Sequence, residues 1–177
     1  MYGQHGTAET YQRGREYELR GLKLLRAAFP KERVRATVSG SLEDRRGTDV
    51  YVGDKSVDIK GLKNHAKDGQ LLVEHTNVSG GPGWSTKSNG FVLIFVNETD
   101  ALLVNKKFLA LLVGDPRKFD WTAPATRQPR EFVENFKPYG RPENLDRVAY
   151  VPYAQLWKLK DTIRINANQD GTVSVVR

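Results

Sequence analysis

The segment Asp49-Val50-Tyr51-Val52-Gly53-Asp54-Lys55-Ser56-Val57-Asp58-Ile59-Lys60 carries the residue types and spacing best suited to chemistry in this chain. It reads as a strand, a turn at Gly53-Asp54-Lys55-Ser56 and a second strand. Residues i and i+2 of a strand point to the same side. Asp58 and Lys60 therefore project together, about 7 Å apart at the backbone, while Ile59 points the other way into a core. Asp49 opens the neighbouring strand and can reach the same spot. Two carboxylates beside one ammonium, on rigid sheet, can hold a hard divalent cation next to a polarised water. The alternative is a surface hairpin with an exposed ion pair.

The elements around this segment must position it. From about Glu9 to Phe29 the spacing predicts a helix, stopped by Pro30, with Gly14 and Gly21 weakening it locally. Glu18, Leu22, Leu25 and Phe29 follow one another at helical spacing and share a face. A glutamate on an apolar stripe needs a partner, because burying a bare charge is costly. A metal ion or the ammonium of Lys60 would supply one; otherwise Glu18 sits at the edge of the stripe and reaches water. Its neighbour Glu16 points away from the Leu22–Leu25 stripe.

Val34 to Val38 alternates like a strand, and Ser39 to Gly47 reads as a polar loop. Leu71 to Thr76 is a further strand. Phe91-Val92-Leu93-Ile94-Phe95-Val96 is apolar throughout, as expected of a strand covered on both faces. Ala101 to Val104 pairs beside it, and a short helix runs from about Lys106 to Val113. Val148 to Val151 is a strand, Pro152 to Lys160 a helix, and Ile163 to Asn166 with Thr172 to Val176 a terminal hairpin. This order predicts an α/β fold, a mixed central sheet flanked by helices with the first helix on one face.

The length of 177 residues suits one domain with a substantial core. Residues 1–8 are expected to be flexible. Residues 114–147 hold five of the eight prolines and form a Pro-rich insertion. In it Arg127 and Arg130 are candidate phosphate contacts, and its aromatics are candidate anchors to the domain or to a second subunit. The net charge of +7 favours a polyanionic partner, nucleic acid first. The chain has no cysteine, which excludes disulfides, thiolate metal sites and cysteine nucleophiles, and fits a cytoplasmic location. No apolar run reaches membrane-spanning length, and the first residues lack a signal-peptide pattern.

With a glutamate on the first helix, a strand opening Gly47-Thr48-Asp49 and a following strand bearing Asp58-Ile59-Lys60, the chain resembles the PD-(D/E)xK nuclease superfamily over about residues 14–96, with a matching ending at 148–160. The proline of that signature is replaced by Thr48. The resemblance implies a restriction-endonuclease-like core and hydrolysis of DNA phosphodiester bonds. It places the family's helix glutamate on Glu18, its acidic metal ligands on Asp49 and Asp58, and its lysine on Lys60. It implies Mg²⁺ as cofactor, with Mn²⁺ as a substitute, and the main-chain carbonyl of Ile59 as a further ligand. Glu18 would contribute through water or a second metal. Within the family, the alternative is a structure-specific nuclease such as a Holliday-junction resolvase, working as a homodimer. Outside catalysis, the alternative is a nucleic-acid-binding protein of the same fold.

Glu74, on the strand after Asp58-x-Lys60, is an additional candidate for the site. The segment from His75 to Ser88 is rich in glycine and hydroxyls, and Lys87 and its exposed amides suit phosphate oxygens. Trp84 stacks on a base or plugs the core. Lys63 and Lys67 are candidate phosphate contacts or plain surface lysines. His5, His65 and His75 lack metal-ligand spacing, and neither a nucleophile elbow nor a phosphate-binding loop is present.

Overall fold

The structure is a computed structural model that describes residues 8–61, 69–87, 89–115, 119, 121, 145–168 and 170–177. Helix α1 (Ala8–Ala28) is built mostly from good helix formers and ends just before Phe29, whose position ahead of Pro30 disfavours helical backbone. Its inner face buries Leu24 and Leu25. Gly21 proves to be a contact point. A Cβ there would stand 2.7 Å from the Ile59 side chain, so the missing side chain lets the helix lie directly on the sheet.

Among the described residues that sheet has seven strands, in the order β1 (Val34–Ala36), β2 (Val50–Val52), β3 (Lys55–Lys60), β5 (Phe91–Phe95), β6 (Asp100–Asn105), β8 (Ile163–Ala167) and β9 (Val173–Val176). Of its pairs among the described residues, only β3–β5 is parallel. Strands near both edges, β1 and β9, contact α1, so the sheet curls around the helix. The β2–β3 turn is tighter than its sequence suggests. Val52 pairs with Lys55, leaving a two-residue turn in which Gly53 takes φ +60, a glycine-first arrangement suited to hairpin twist.

The other face of the sheet is covered by a second layer. There β4 (Gln70–Thr76) and β7 (Arg147–Pro152) pair antiparallel as a separate two-stranded sheet, with a register shift between Glu74 and Thr76. Helices α3 (Lys106–Val113) and α4 (Tyr153–Trp157) complete this layer. The expected mixed central sheet flanked by helices is present, and β4 and β7 find each other across the sequence and pair outside it. α4 also stops at Trp157 rather than Lys160. The polar loop after β1 contains a helical turn, α2 (Leu42–Arg45), capped by the Ser41 hydroxyl, which accepts from the Asp44 N–H at 3.2 Å.

Two apolar clusters result, one on each face. Val50, Val57, Ile59, Leu93 and Phe95 face α1. Val92, Ile94 and Val104 face the second layer, with Val73 and Val151. β5 contributes to both, which is why it is apolar at every position.

Of the Pro-rich segment, Phe119 is buried in the core, and Trp121 donates its indole N–H to the Val113 carbonyl at 2.6 Å and stacks on His75. These aromatics anchor the start of the segment to the domain. Of residues 1–8, expected to be flexible, Ala8 is the first residue of α1, while 1–7, Lys63, Lys67, Arg127, Arg130 and most of the Pro-rich segment lie outside the described residues. Among the described residues, no helix is long and apolar enough to cross a membrane.

Candidate active site

Asp49 sits one residue before β2, and its N–H donates to the Val57 carbonyl at 2.9 Å. With Val50 opposite Val57, the ladder carried one residue further sets Asp49 opposite Asp58. Facing residues of neighbouring strands project from the same side. Ile59, between Asp58 and Lys60, points to α1, so Asp58 and Lys60 lie on the opposite face, beside Val92 and Ile94 of β5. Asp49 Oδ2 accepts the Ile59 N–H at 2.6 Å. Its carboxyl is pushed up to about 7, first by burial and then by the charge of Asp58; the Ile59 N–H and Lys60 oppose this without cancelling it.

Asp58 is 2% exposed and lies between two ammonium groups. Its Oδ1 is 2.8 Å from Lys60 Nζ and its Oδ2 is 3.1 Å from Lys106 Nζ. Burial works against the Lys60 ammonium, but Asp58, then Asp49 and Glu74, outweigh it and hold its pKa above the ordinary lysine value. Lys106 goes the other way. Burial holds it below the ordinary value, Asp58 only partly offsets this, and Lys60 adds repulsion.

Lys106 escapes the sequence reading. It is the first residue of α3, after the cap Asn105, whose side chain accepts the Lys107 N–H at 3.0 Å. A cation at a helix N-terminus stands at the unfavourable end of the helix dipole. A partner elsewhere must hold it there, and that mismatch was the available clue.

Asp58, Lys60, Lys106, Glu74 and Trp84 line a cleft of about 270 Å³, with Arg45, Arg46 and Lys87 among its other walls. Glu74 accepts the Trp84 N–H at 3.2 Å, and its main-chain carbonyl accepts the Ser85 hydroxyl at 2.7 Å. Lys87 Nζ donates to the Arg45 carbonyl at 2.7 Å, tying α2 to the loop after β4. Of the two expectations for Trp84, the structure bears on packing against the core. The residue does pack there, and its ring lies 5.5 Å from Lys60 Nζ. Asp44, Arg45 and Arg46 were also missed, although Ser41-x-x-Asp44 is a capping signature readable in the sequence.

Glu18 stands apart from this group. Its side chain is exposed and makes no hydrogen bond or ion pair among the described residues. Its pKa is raised by burial and then by Asp44, against Arg15 and Lys60, with Asp58 adding a smaller push, so it feels the cluster electrostatically. Glu16 is exposed. Among the described residues, no three acidic or histidine side chains converge as a ready metal cage.

No family model, curated protein or solved structure matches the chain.

The loop that supplies Trp84 depends on Gly83. A Cβ there would overlap the Glu74 carbonyl, and backbone cannot swing aside as a side chain tip can. Gly83→Ala is expected to destabilise the fold by about 1–3 kcal/mol, as overpacking does, and to change the fluorescence of Trp84. A wild-type melting temperature would contradict this close approach. A larger cavity, about 870 Å³, opens on the α1 side of the sheet between Phe29, Phe91 and Trp157. Asp49, Asp58 and Lys60 are not among its walls.

Proposed function

We propose that this chain is a Mg²⁺-dependent DNA endonuclease of the PD-(D/E)xK type with a restriction-endonuclease-like core. The observation that carries this reading is the placement of Asp49 opposite Asp58, with Lys60 on the same side of β3 and Asp58 and Lys60 in the wall of one cleft. The element order behind the resemblance supports it: α1 with Glu18, then the strand after Asp49, then β3 with Asp58-Ile59-Lys60.

The residues present fit a divalent ion. Asp49 and Asp58 are hard oxygen donors suited to magnesium. The raised Asp49 carboxyl marks a place where burial and the Asp58 charge outweigh the favourable contacts: the two lysines pair with Asp58, and among the described residues the Asp49 side chain accepts the Ile59 N–H and feels Lys60 only at a distance. Asp49 and Asp58 would hold the ion, with the Ile59 carbonyl as a further donor and Glu18 acting through water. Bound there, Mg²⁺ would lower the pKa of a water and neutralise charge building up on the phosphate. Lys60 is half-buried at the cleft and long enough to turn from Asp58 toward it, where it orients the attacking water and meets developing negative charge. Arg45, Arg46 and Lys87 supply positive charge for phosphates at the cleft. Glu74 supports the wall through Trp84.

One observation favours a second reading, a nucleic-acid-binding protein that does not cleave: both Asp58 oxygens already face ammonium groups. A single assay separates the two. Linear duplex, single-stranded and four-way-junction DNA are incubated with the protein in MgCl₂, MnCl₂ or EDTA. Metal-dependent cleavage is expected, and selective cutting of the junction together with dimerisation would identify a resolvase. Tight binding of all three substrates without cleavage in either metal would establish the second reading instead.

A further inference from the structure

We infer that Lys106 is a built-in counter-cation for Asp58, which stabilises the metal-free site and competes with a divalent ion for that carboxylate. This rests on the metal-site reading above and adds a residue to it.

A carboxylate as buried as Asp58 cannot remain charged without partners. Its two partners are unequal. The Lys60 side chain is 31% exposed at the cleft and can swing away. The Lys106 side chain is 3% exposed. Its backbone is fixed at the start of α3, where its own N–H donates to the Gly90 carbonyl at 2.9 Å and the Asn105 cap holds the next residue. Lys106 borders the same cleft, but its side chain is 3% exposed against 31% for Lys60, so it is Lys60 that has room to leave Asp58. Asp58 thus keeps one ammonium on Oδ2 whatever occupies Oδ1. A divalent ion on Oδ1 would sit across one carboxylate from that ammonium, and two cations so close in a partly dehydrated site repel strongly. The arrangement weakens metal affinity and removes the need for metal to fold, since Asp58 is neutralised from within.

The test uses the full chain and MnCl₂, followed by calorimetric titration and by thermal unfolding in EDTA. Lys106→Met removes the charge while keeping most of the length. It is expected to bind Mn²⁺ about tenfold more tightly than the wild type, to melt at lower temperature in EDTA, and to recover more of its melting temperature when Mn²⁺ is added. Lys106→Gln should behave alike, and Lys106→Arg, which keeps the charge, should bind Mn²⁺ like the wild type. Unchanged or weaker Mn²⁺ affinity in the Met and Gln variants overturns the inference and leaves the nuclease reading standing. Equal tightening in Lys106→Arg also overturns it, because the effect would then come from packing. If the neutral variants do not fold in EDTA, saturating MnCl₂ is expected to restore them, and failure to do so counts against the inference. If neither wild type nor variants bind Mn²⁺, the metal reading falls and this inference falls with it.

Discussion

Lys60→Ala is expected to lower Mg²⁺-dependent cleavage by a factor of about 10³, the scale on which removal of a preorganised electrostatic group acts, while the protein stays folded and binds DNA. The fold should survive because Asp58 keeps Lys106 at 3.1 Å when Lys60 is gone. Asp58 itself is less simple to remove. Asp58→Ala would leave Lys106 buried without its carboxylate, and breaking a buried pair from one side costs about 3–5 kcal/mol. Lost activity in that variant would therefore report unfolding as much as chemistry. Asp58→Asn keeps the shape and one acceptor oxygen but also loses the charge between the two lysines, so its melting temperature should fall too, by less than in Asp58→Ala; cleavage should again fall by about 10³. Cleavage rates, melting temperatures and fluorescence-anisotropy binding curves on the same preparations separate the effects. Wild-type cleavage by a folded Lys60→Ala protein would refute the assignment of Lys60.

Asp49→Asn should stabilise the metal-free protein at pH 8 and leave it nearly unchanged at pH 4.5. The Asp49 carboxyl stands at about 7 in the folded chain against an ordinary value of 3.8. The folded state thus holds this proton more tightly than the unfolded one. Its contribution is fully present below pH 3.8 and is lost as pH rises through about 7. At 1.36 kcal/mol per pH unit the whole swing is at most roughly 4 kcal/mol. Asparagine retains an acceptor for the Ile59 N–H but carries no charge facing Asp58. In EDTA the melting temperature of the wild type should therefore fall across this window more steeply than that of the variant. MgCl₂ should reduce the difference at pH 8, because a cation favours the ionised carboxylate. Parallel pH profiles for the two proteins would show that Asp49 is not held in this state.

The pairing of Asp58 with Lys60 was legible because strand period is local: two residues apart means the same side, whatever the rest of the fold does. The same rule marked Ile59 as the residue that turns to the core, and an uninterrupted apolar run marked β5 as a strand with two covered faces. Helix α1 was legible from its spacing and from Pro30. Capping by Ser41 and Asp44 was equally local and was overlooked within a polar stretch.

What local pattern could not show is which distant segments meet. Leu71 to Thr76 reads as a strand in any sheet, and only its partner across the sequence, Arg147–Pro152, draws it into a second layer. Gly21 looks like a weak point in a helix until Ile59 is packed against it. Lys106 stands 48 residues from Asp58 and carries no periodic signal linking the two. Chain periodicity thus determined which side of β3 bears the carboxylate and the ammonium, since that depends on neighbours one and two residues away. Tertiary structure alone decided that the carboxylate is buried between two lysines, that burial and Asp58 outweigh the favourable contacts of Asp49, and that Glu18 lies outside the hydrogen-bonded group. Burial and long-range ion pairing depend on elements that meet only when the sheet curls around α1 and the second layer closes over it.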